Sequence, residues 1–303
     1  MMNEFKSGFV SLIGRPNVGK STLMNYLVGE KIAIVSKKPQ TTRNKITSIL
    51  TTAGYQMVFI DTPGIHEPKT KLGQYMVKSA GNALTGVDVI MFLVEPTPTV
   101  TPGDEAIIKM LPKNAKVILV INKSDTVKKP DILLTIDSYN KKMQEGKKIQ
   151  EIVPISALTG ENTEALLEVV SKNLPAGPKY FPDDMITDQP ERQIAAEMVR
   201  EGALTFLQEE IPHGIAVEVM SMKRRKGTKG TALVDLDATI YCERESHKAI
   251  VIGKGGAMLK KIGARARRDL ELLLDTPINL QLWVKVRKRW RDNDSILLDL
   301  GYS

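Results

Sequence analysis

The chain has 303 residues, enough for one large domain or two ordinary ones, with 42% hydrophobic and 26% charged residues and a formal net charge of +8. Its single cysteine, Cys242, excludes an internal disulfide framework and fits a reducing compartment. The N-terminal MMNEFKSGFVSLIG lacks a signal-peptide pattern, and no run approaches the roughly 18 to 20 apolar residues of a spanning helix, so a cytoplasmic protein is expected.

From the N-terminus, SGFVSLIG reads as a strand and KSTLMNYLVG as a helix closed by Gly29. YQMVFID, DVIMFLVE, AKVILVIN and QEIVPISA are further strand-like runs. Their apolarity is continuous rather than alternating, which predicts strands buried on both faces, hence a mostly parallel sheet between helices. Ligands of such sheets bind at the carboxyl ends of the strands, and the polar motifs of this half follow the strand-like runs.

The first motif, Gly14-Arg15-Pro16-Asn17-Val18-Gly19-Lys20-Ser21-Thr22, contains G-x-x-x-x-G-K-S between a predicted strand and a predicted helix. Its glycines let backbone N–H groups and the helix N-terminus surround phosphates. Lys20 can then reach the β- and γ-phosphates, and the Ser21 hydroxyl can bind Mg²⁺. Asp61-Thr62-Pro63-Gly64-Ile65 follows the next strand. Asp61 suits the surroundings of Mg²⁺ without being a direct ligand, and the Gly64 N–H suits a γ-phosphate.

Asn122-Lys123-Ser124-Asp125 follows VILVI, and its aspartate can accept hydrogen bonds from guanine N1–H and the 2-amino group. Adenine lacks those donors, and an unpaired partner at such a site can cost on the order of 10⁴-fold in selectivity. Ser156-Ala157-Leu158, after EIVPI, would place a backbone N–H at the guanine oxygen. The expected ligands are GTP and GDP. His213 and His247 have no companions at metal-ligand spacing.

Residues 174–190, LPAGPKYFPDDMITDQP, are rich in proline and poor in periodicity and are expected to be a linker. Beyond them ERQIAAEMVREGALTFLQEE reads as a helix, and GIAVEVMSMKRR and TALVDLDATIYCE as strands joined by the basic KGTKG. A short helix to about Ile252, a GKGG turn, a helix from Ala257 to Asp275 and a strand INLQLWVKVRK complete an α-β-β-α-turn-α-β order. Residues 223–291 hold 18 Lys and Arg against 7 Asp and Glu, whereas residues 181–222 hold 2 against 9. Such a basic block suggests a polyanion-binding face.

Gly253-Lys254-Gly255-Gly256 fails as a nucleotide loop, because it lacks the Lys-Ser pair that would hold γ-phosphate and Mg²⁺. It fits instead the G-x-x-G that, between two helices in KH domains, clamps about four nucleotides of single-stranded RNA. The element order is that of the type II KH fold, and Lys260, Lys261, Arg265, Arg267 and Arg268 crowd the following helix. Ile250, Ile252, Leu259 and Ile262 can floor a groove or fill the core. Trp283, on a strand, is expected in the core, and Trp290, between arginines, suits either a cap or RNA stacking.

GRPNVGKST, PQTTR, DTPGIH and NKSD together closely resemble the Era family of GTPases, and the tail LQLWVKVRKRWRDNDSILLDLGY extends the resemblance over nearly the whole chain. The resemblance implies an α/β P-loop GTPase domain over residues 1–175, a linker over 176–190 and a type II KH domain with a C-terminal extension over 191–303. It implies catalysis through Lys20, Thr42 and Gly64, with Mg²⁺ held by Ser21 and, from a switch of about residues 31–45, by Thr42 rather than Thr41. Ile65 stands where small GTPases carry a water-orienting glutamine, which implies slow hydrolysis aided by backbone, a cation or a partner. Asn17 matches a position that in some relatives helps bind K⁺, and His66 is expected to be a switch-loop residue rather than a base.

The implied partner is the 3′ end of 16S ribosomal RNA on the small ribosomal subunit, bound through Gly253, Lys254, Gly255, Gly256, Lys260, Lys261, Arg265 and Arg268, with no DNA partner. Two alternatives stay open. One is a constitutive RNA-binding chaperone with a structural G domain. The other is a cell-cycle GTPase peripheral to the inner face of the cell membrane.

Overall fold

The computed structural model describes residues 4–36, 38–65, 67–143, 149–227 and 231–302; His66 and part of the basic KGTKG turn lie outside the described residues. The chain divides into two compact units. The first comprises Met1–Ala33, Thr42–Glu67 and Met76–Asp188, and the second Ile34–Thr41, Pro68–Tyr75 and Gln189–Ser303. Among the described residues no helix is long and apolar enough to cross a membrane.

The first unit is built on β1 (Lys6–Ile13), β2 (Ile46–Thr51), β3 (Tyr55–Asp61), β4 (Val89–Val94), β5 (Val117–Ile121) and β6 (Ile149–Pro154), in the order β2-β3-β1-β4-β5-β6. Every residue of β4 and β5 is buried, as their uninterrupted apolar runs require. Only β2 runs antiparallel, along β3. Its sequence ITSILT alternates polar and apolar residues only weakly, and it was not among the expected strands. The helices are α1 (Lys20–Val28), α2 (Lys71–Asn82, whose first residues cluster with the second unit), α3 (Pro102–Met110), α4 (Lys129–Met143) and α5 (Thr163–Asn173).

Because β3 and β4 flank β1 on opposite sides, the loop after β1 opens at a switch point of the sheet. Residues 176–188 lie along this unit. The Gly177 N–H donates to the Phe5 carbonyl, the Ile49 N–H to that of Ile186, and the Gln56 side-chain oxygen accepts from the Tyr180 and Phe181 N–H groups.

The second unit contains α6 (Glu191–Phe206), β7 (Ala216–Lys226), β8 (Ala232–Cys242), α7 (Glu245–Ile252), α8 (Ala257–Leu274), β9 (Ile278–Val286) and α9 (Asp294–Asp299). The sheet order is β7-β8-β9, with β8 and β9 parallel and joined through α7 and α8. Ile194, Met198 and Val199 of α6 and Ile262, Ala266 and Leu270 of α8 bury against Val234, Leu236, Ala238 and Ile240 of β8. Buried α6 side chains also hold residues 34–41. The Glu201 carboxylate accepts from the Val35 N–H at 2.9 Å, and Arg200, paired with Glu197, donates to the Thr41 carbonyl.

Trp283 departs from its expected place in the core, whereas Trp290, open between a cap and RNA stacking, packs inside. Trp290 is fully buried, stacked on Tyr302, with its indole N–H on the Gly214 carbonyl at 2.8 Å. Trp283 is exposed, because β9 turns Leu280, Leu282 and Val284 inward and thereby aims position 283 outward.

Candidate active site and nucleic-acid groove

The loop after β1 wraps around the Lys20 side chain, whose ammonium donates to the Gly14 and Arg15 carbonyls at 3.0 Å each. Burial lowers its pKa to about 8, with the Asp61 carboxylate acting in the opposite sense. Beside it three oxygens meet. The Ser21 hydroxyl donates to Asp61 Oδ2 at 2.6 Å and lies 2.9 Å from that of Thr42, which is 3.3 Å from the same carboxylate oxygen. Asp61 is fully buried, burial pushes its carboxyl pKa up, and its Oδ1 has no hydrogen-bond partner among the described residues. A buried carboxylate so placed calls for a cation. These oxygen donors suit a hard ion such as Mg²⁺, which keeps most of its ligands as water and phosphate. The Thr41 hydroxyl, by contrast, is turned to the Lys38 carbonyl at 2.6 Å.

Asn122 ties three loops together. Its amide donates to the Val18 carbonyl at 2.7 Å and accepts from the Ala157 N–H at 2.8 Å. The same amide lies where a Cβ at Gly19 would come within 2.1 Å, and Gly19 has φ +100°, so that position admits only glycine. Asp125 and Leu158 remain exposed at the rim, and Ser156 is buried below. Ser124 lies between, its N–H on the Ile155 carbonyl. Lys123 pairs with Glu95.

The remaining motif residues divide between scaffold and rim. Arg15 turns away from the loop, bonding fully buried Asp104 at 2.9 Å, so only its backbone faces the cradle. Val18 is buried, Pro16 and Thr22 are partly buried, and Asn17 is exposed with φ +66°. Thr62 bonds the Leu12 carbonyl at 2.8 Å and Pro63 is buried, leaving Gly64 at the edge of the site. Ile65 drops into the first unit's core, which accounts for an isoleucine at this point in the loop.

In the second unit Gly253, Lys254, Gly255 and Gly256 form the turn between α7 and α8. Gly255 and Gly256 have φ +59° and +81° with open space around them, and Lys254 is exposed. A groove of about 400 Å³ runs from Gly256 between α8 and β9, floored by Leu259, Leu280 and Leu282 and widened by Gly263 and Ala264. Its basic walls are Lys260 and Arg267.

Helical spacing divides the candidate cations. Residues 260, 264 and 267 share one face, while Lys261, Arg265 and Arg268 lie on the next. Arg265 is engaged by Asp269 at 2.8 Å, and Arg268 lies 3.6 Å from the same carboxylate. Arg267 was absent from the set that the family resemblance implied, although its i+7 spacing from Lys260 could have found it. Ile262 is core, Leu259 is groove, Ile250 is half exposed and Ile252 is partly buried.

Two family models match the chain: "50S ribosome-binding GTPase" over residues 9–123 and "KH domain" over residues 210–291. GTPase Era of Clostridioides difficile (strain 630) is 54% identical over 99% of both chains. GTPase Era of Clostridium perfringens (strain ATCC 13124) is 53% identical over 98% of both. A solved structure of Era in complex with MgGDPNP and nucleotides 1506–1542 of 16S ribosomal RNA is similar at TM-score 0.93 and 43% identity, covering 99% of each chain. That of an Aquifex aeolicus Era variant bound to GDP·AlF4⁻ is similar at TM-score 0.92 and 43% identity, covering 99% of this chain and all of that one.

Proposed function

This chain belongs to the Era family of GTPases, and on that premise we propose that it is a GTP-driven switch that binds the 3′ end of 16S ribosomal RNA during small-subunit maturation. The observation that carries the nucleotide half is the meeting of Ser21, Thr42 and Asp61 beside the buried Lys20 ammonium. Lys20 would hold the β- and γ-phosphates, and the backbone N–H groups of residues 14–19 would surround them. Ser21 and Thr42 would ligate Mg²⁺ directly, with Asp61 accepting from a water on the ion. When bound, Mg²⁺ supplies positive charge against that developing on the phosphate oxygens.

The Gly64 N–H would meet the γ-phosphate. Because Ile65 is committed to the core, the attacking water must be oriented by backbone, by a cation or by a partner. For the cation we propose K⁺ at Asn17, to be checked by comparing turnover in potassium and sodium buffers. Asp125 would read the guanine edge, and a backbone N–H of the Ser156-Ala157-Leu158 loop would meet the guanine oxygen. Loss of the γ-phosphate contacts of Thr42 and Gly64 would then loosen the switch.

For the RNA half, the glycine turn would admit the phosphate backbone closely, and Lys254, Lys260 and Arg267 would neutralise it beside an apolar floor. Lys261, Arg265 and Arg268 would add charge from the neighbouring face. The test is a double variant, Lys254→Asp with Gly255→Asp. Aspartate tolerates the left-handed backbone of position 255, so the fold should survive. RNA affinity should fall at least about 100-fold, as expected when phosphates meet two carboxylates, while GTP turnover stays intact. Unchanged RNA binding would overturn the assignment.

A further inference from the structure

Extending the RNA-binding role just proposed, and resting on it, we propose that Trp283 is a stacking platform for an RNA base that has left the groove and crossed the β9 edge. Trp283 is 59% exposed, whereas the chain's other tryptophan is wholly buried. It lies in a row of outward residues on β9, Asn279, Gln281, Trp283 and Lys285, all exposed. The row repeats every second residue, a step of about 6.6 Å. It presents the Gln281 amide, able to bond base edges, the Asn279 amide, whose NH2 donates to Asp235, one broad π-face and one ammonium. Indole on a sheet surface stacks any base, and cationic neighbours hold the backbone against it.

Two further observations select RNA as the occupant. The first is continuity: Leu280 and Leu282, alternating with this row, floor the groove, so one strand has the groove on one side and Trp283 on the other. β9 is the edge of its sheet, so a polynucleotide can pass from one side to the other without meeting another strand. The second is charge. From Ile278 to Arg291 the chain carries five cations and no acidic residue. Arg291 is paired with Glu243 and Arg287 lies 3.7 Å from Asp299, so the exposed Lys285, Lys288 and Arg289 supply the charge. On the adjoining β8, Asp235 is taken up by Arg225 and Asn279. Asp237, in register with Gln281 and partly exposed, keeps phosphates off the middle of the sheet and confines them to β9.

The experiment uses the full chain with Mg²⁺ and a GTP analogue. The probes are end-labelled RNA of nucleotides 1506–1542 of 16S ribosomal RNA and a fragment of about four nucleotides that the turn alone can clamp. Trp283→Ala should weaken binding of the long RNA about tenfold, the loss of one base stack, and leave the short fragment's affinity unchanged. Trp283→Phe should retain most of the affinity. Tryptophan emission should be quenched when the long RNA saturates the wild type and should stay constant in Trp283→Phe, where only buried Trp290 emits.

Unquenched emission at saturation, or equal affinity of wild type and Trp283→Ala for the long RNA, overturns the platform while the groove stands. Trp283→Ala losing small-subunit co-sedimentation with RNA affinity intact would make the indole a protein contact, which also overturns it. If wild type and the Lys254→Asp/Gly255→Asp variant bind both RNAs equally, the RNA-binding role itself fails.

Discussion

At the scale of single residues, Lys20 is the group whose chemistry the fold alters most usefully. Burial brings its pKa to about 8, against the ordinary 10.5. Folding therefore favours the neutral amine, and between those two values the unfolded chain binds the extra proton. Lys20 thus adds stability as pH rises from about 8 to 10.5 and costs stability below 8, where it is charged in both states. Phosphates act oppositely, drawing the proton on. GTP affinity should be flat below pH 8 and fall about tenfold per unit above it, with proton uptake measurable by calorimetry in buffers of different ionisation enthalpy. Lys20→Ala should remove both the pH dependence and most of the affinity.

Asp125 is the second such residue. Asp125→Asn should move preference from guanine to xanthine nucleotides, measured by competition, because the N1–H stays a donor to the amide oxygen while the amide NH2 now needs the carbonyl that xanthine carries at C2 in place of the guanine amino group. Both residues stand out in the motifs, since the roles proposed for them depend on side-chain chemistry at a strand end. The splitting of Thr41 from Thr42, with one hydroxyl on Lys38 and the other beside Ser21, is now a geometric fact, but PQTTR alone could not exhibit it.

At the scale of elements, the cradle depends on cross-ties between loops. Asn122 bonds the loop after β1 and the loop after β6 at once. Asn122→Ala would leave a buried carbonyl and a buried N–H without this partner, at about 1–3 kcal/mol each. It should lower the melting temperature and raise the GDP dissociation rate together. Glu201 on α6 does comparable work for residues 34–41. Glu201→Ala removes the acceptor of the Val35 N–H and should speed amide exchange at Val35 about tenfold, the equivalent of one net hydrogen bond.

The parallel strands and α8 were legible because continuous apolar runs and a long amphipathic pattern carry their own signal. β2 was not, because an antiparallel edge strand is fixed by its pairing with β3. The orientation of β9 was equally hidden. A strand's two faces differ by one residue of register, and only the helices packed on Leu280, Leu282 and Val284 decide which face is inside.

At the scale of the whole molecule, charge is the organising quantity. The excess of 18 basic over 7 acidic residues in 223–291 stands against 2 over 9 in the stretch before it. Three cations, Lys260 and Arg267 of the groove and Lys254 of the turn beside it, should give RNA affinity a log–log salt slope of about −2. Arg267→Gln should reduce the steepness by about 0.7, and Arg265→Gln by less, since Asp269 already holds that guanidinium.

By itself the sequence determined the nucleotide chemistry, the order of elements and the family. Those depend on which side chains follow which strand, and covalent order preserves that. Only the tertiary structure decided which cations line the groove, why Ile65 is apolar, and which tryptophan faces water. Each depends on the neighbours that burial selects, and those neighbours are distant in the chain.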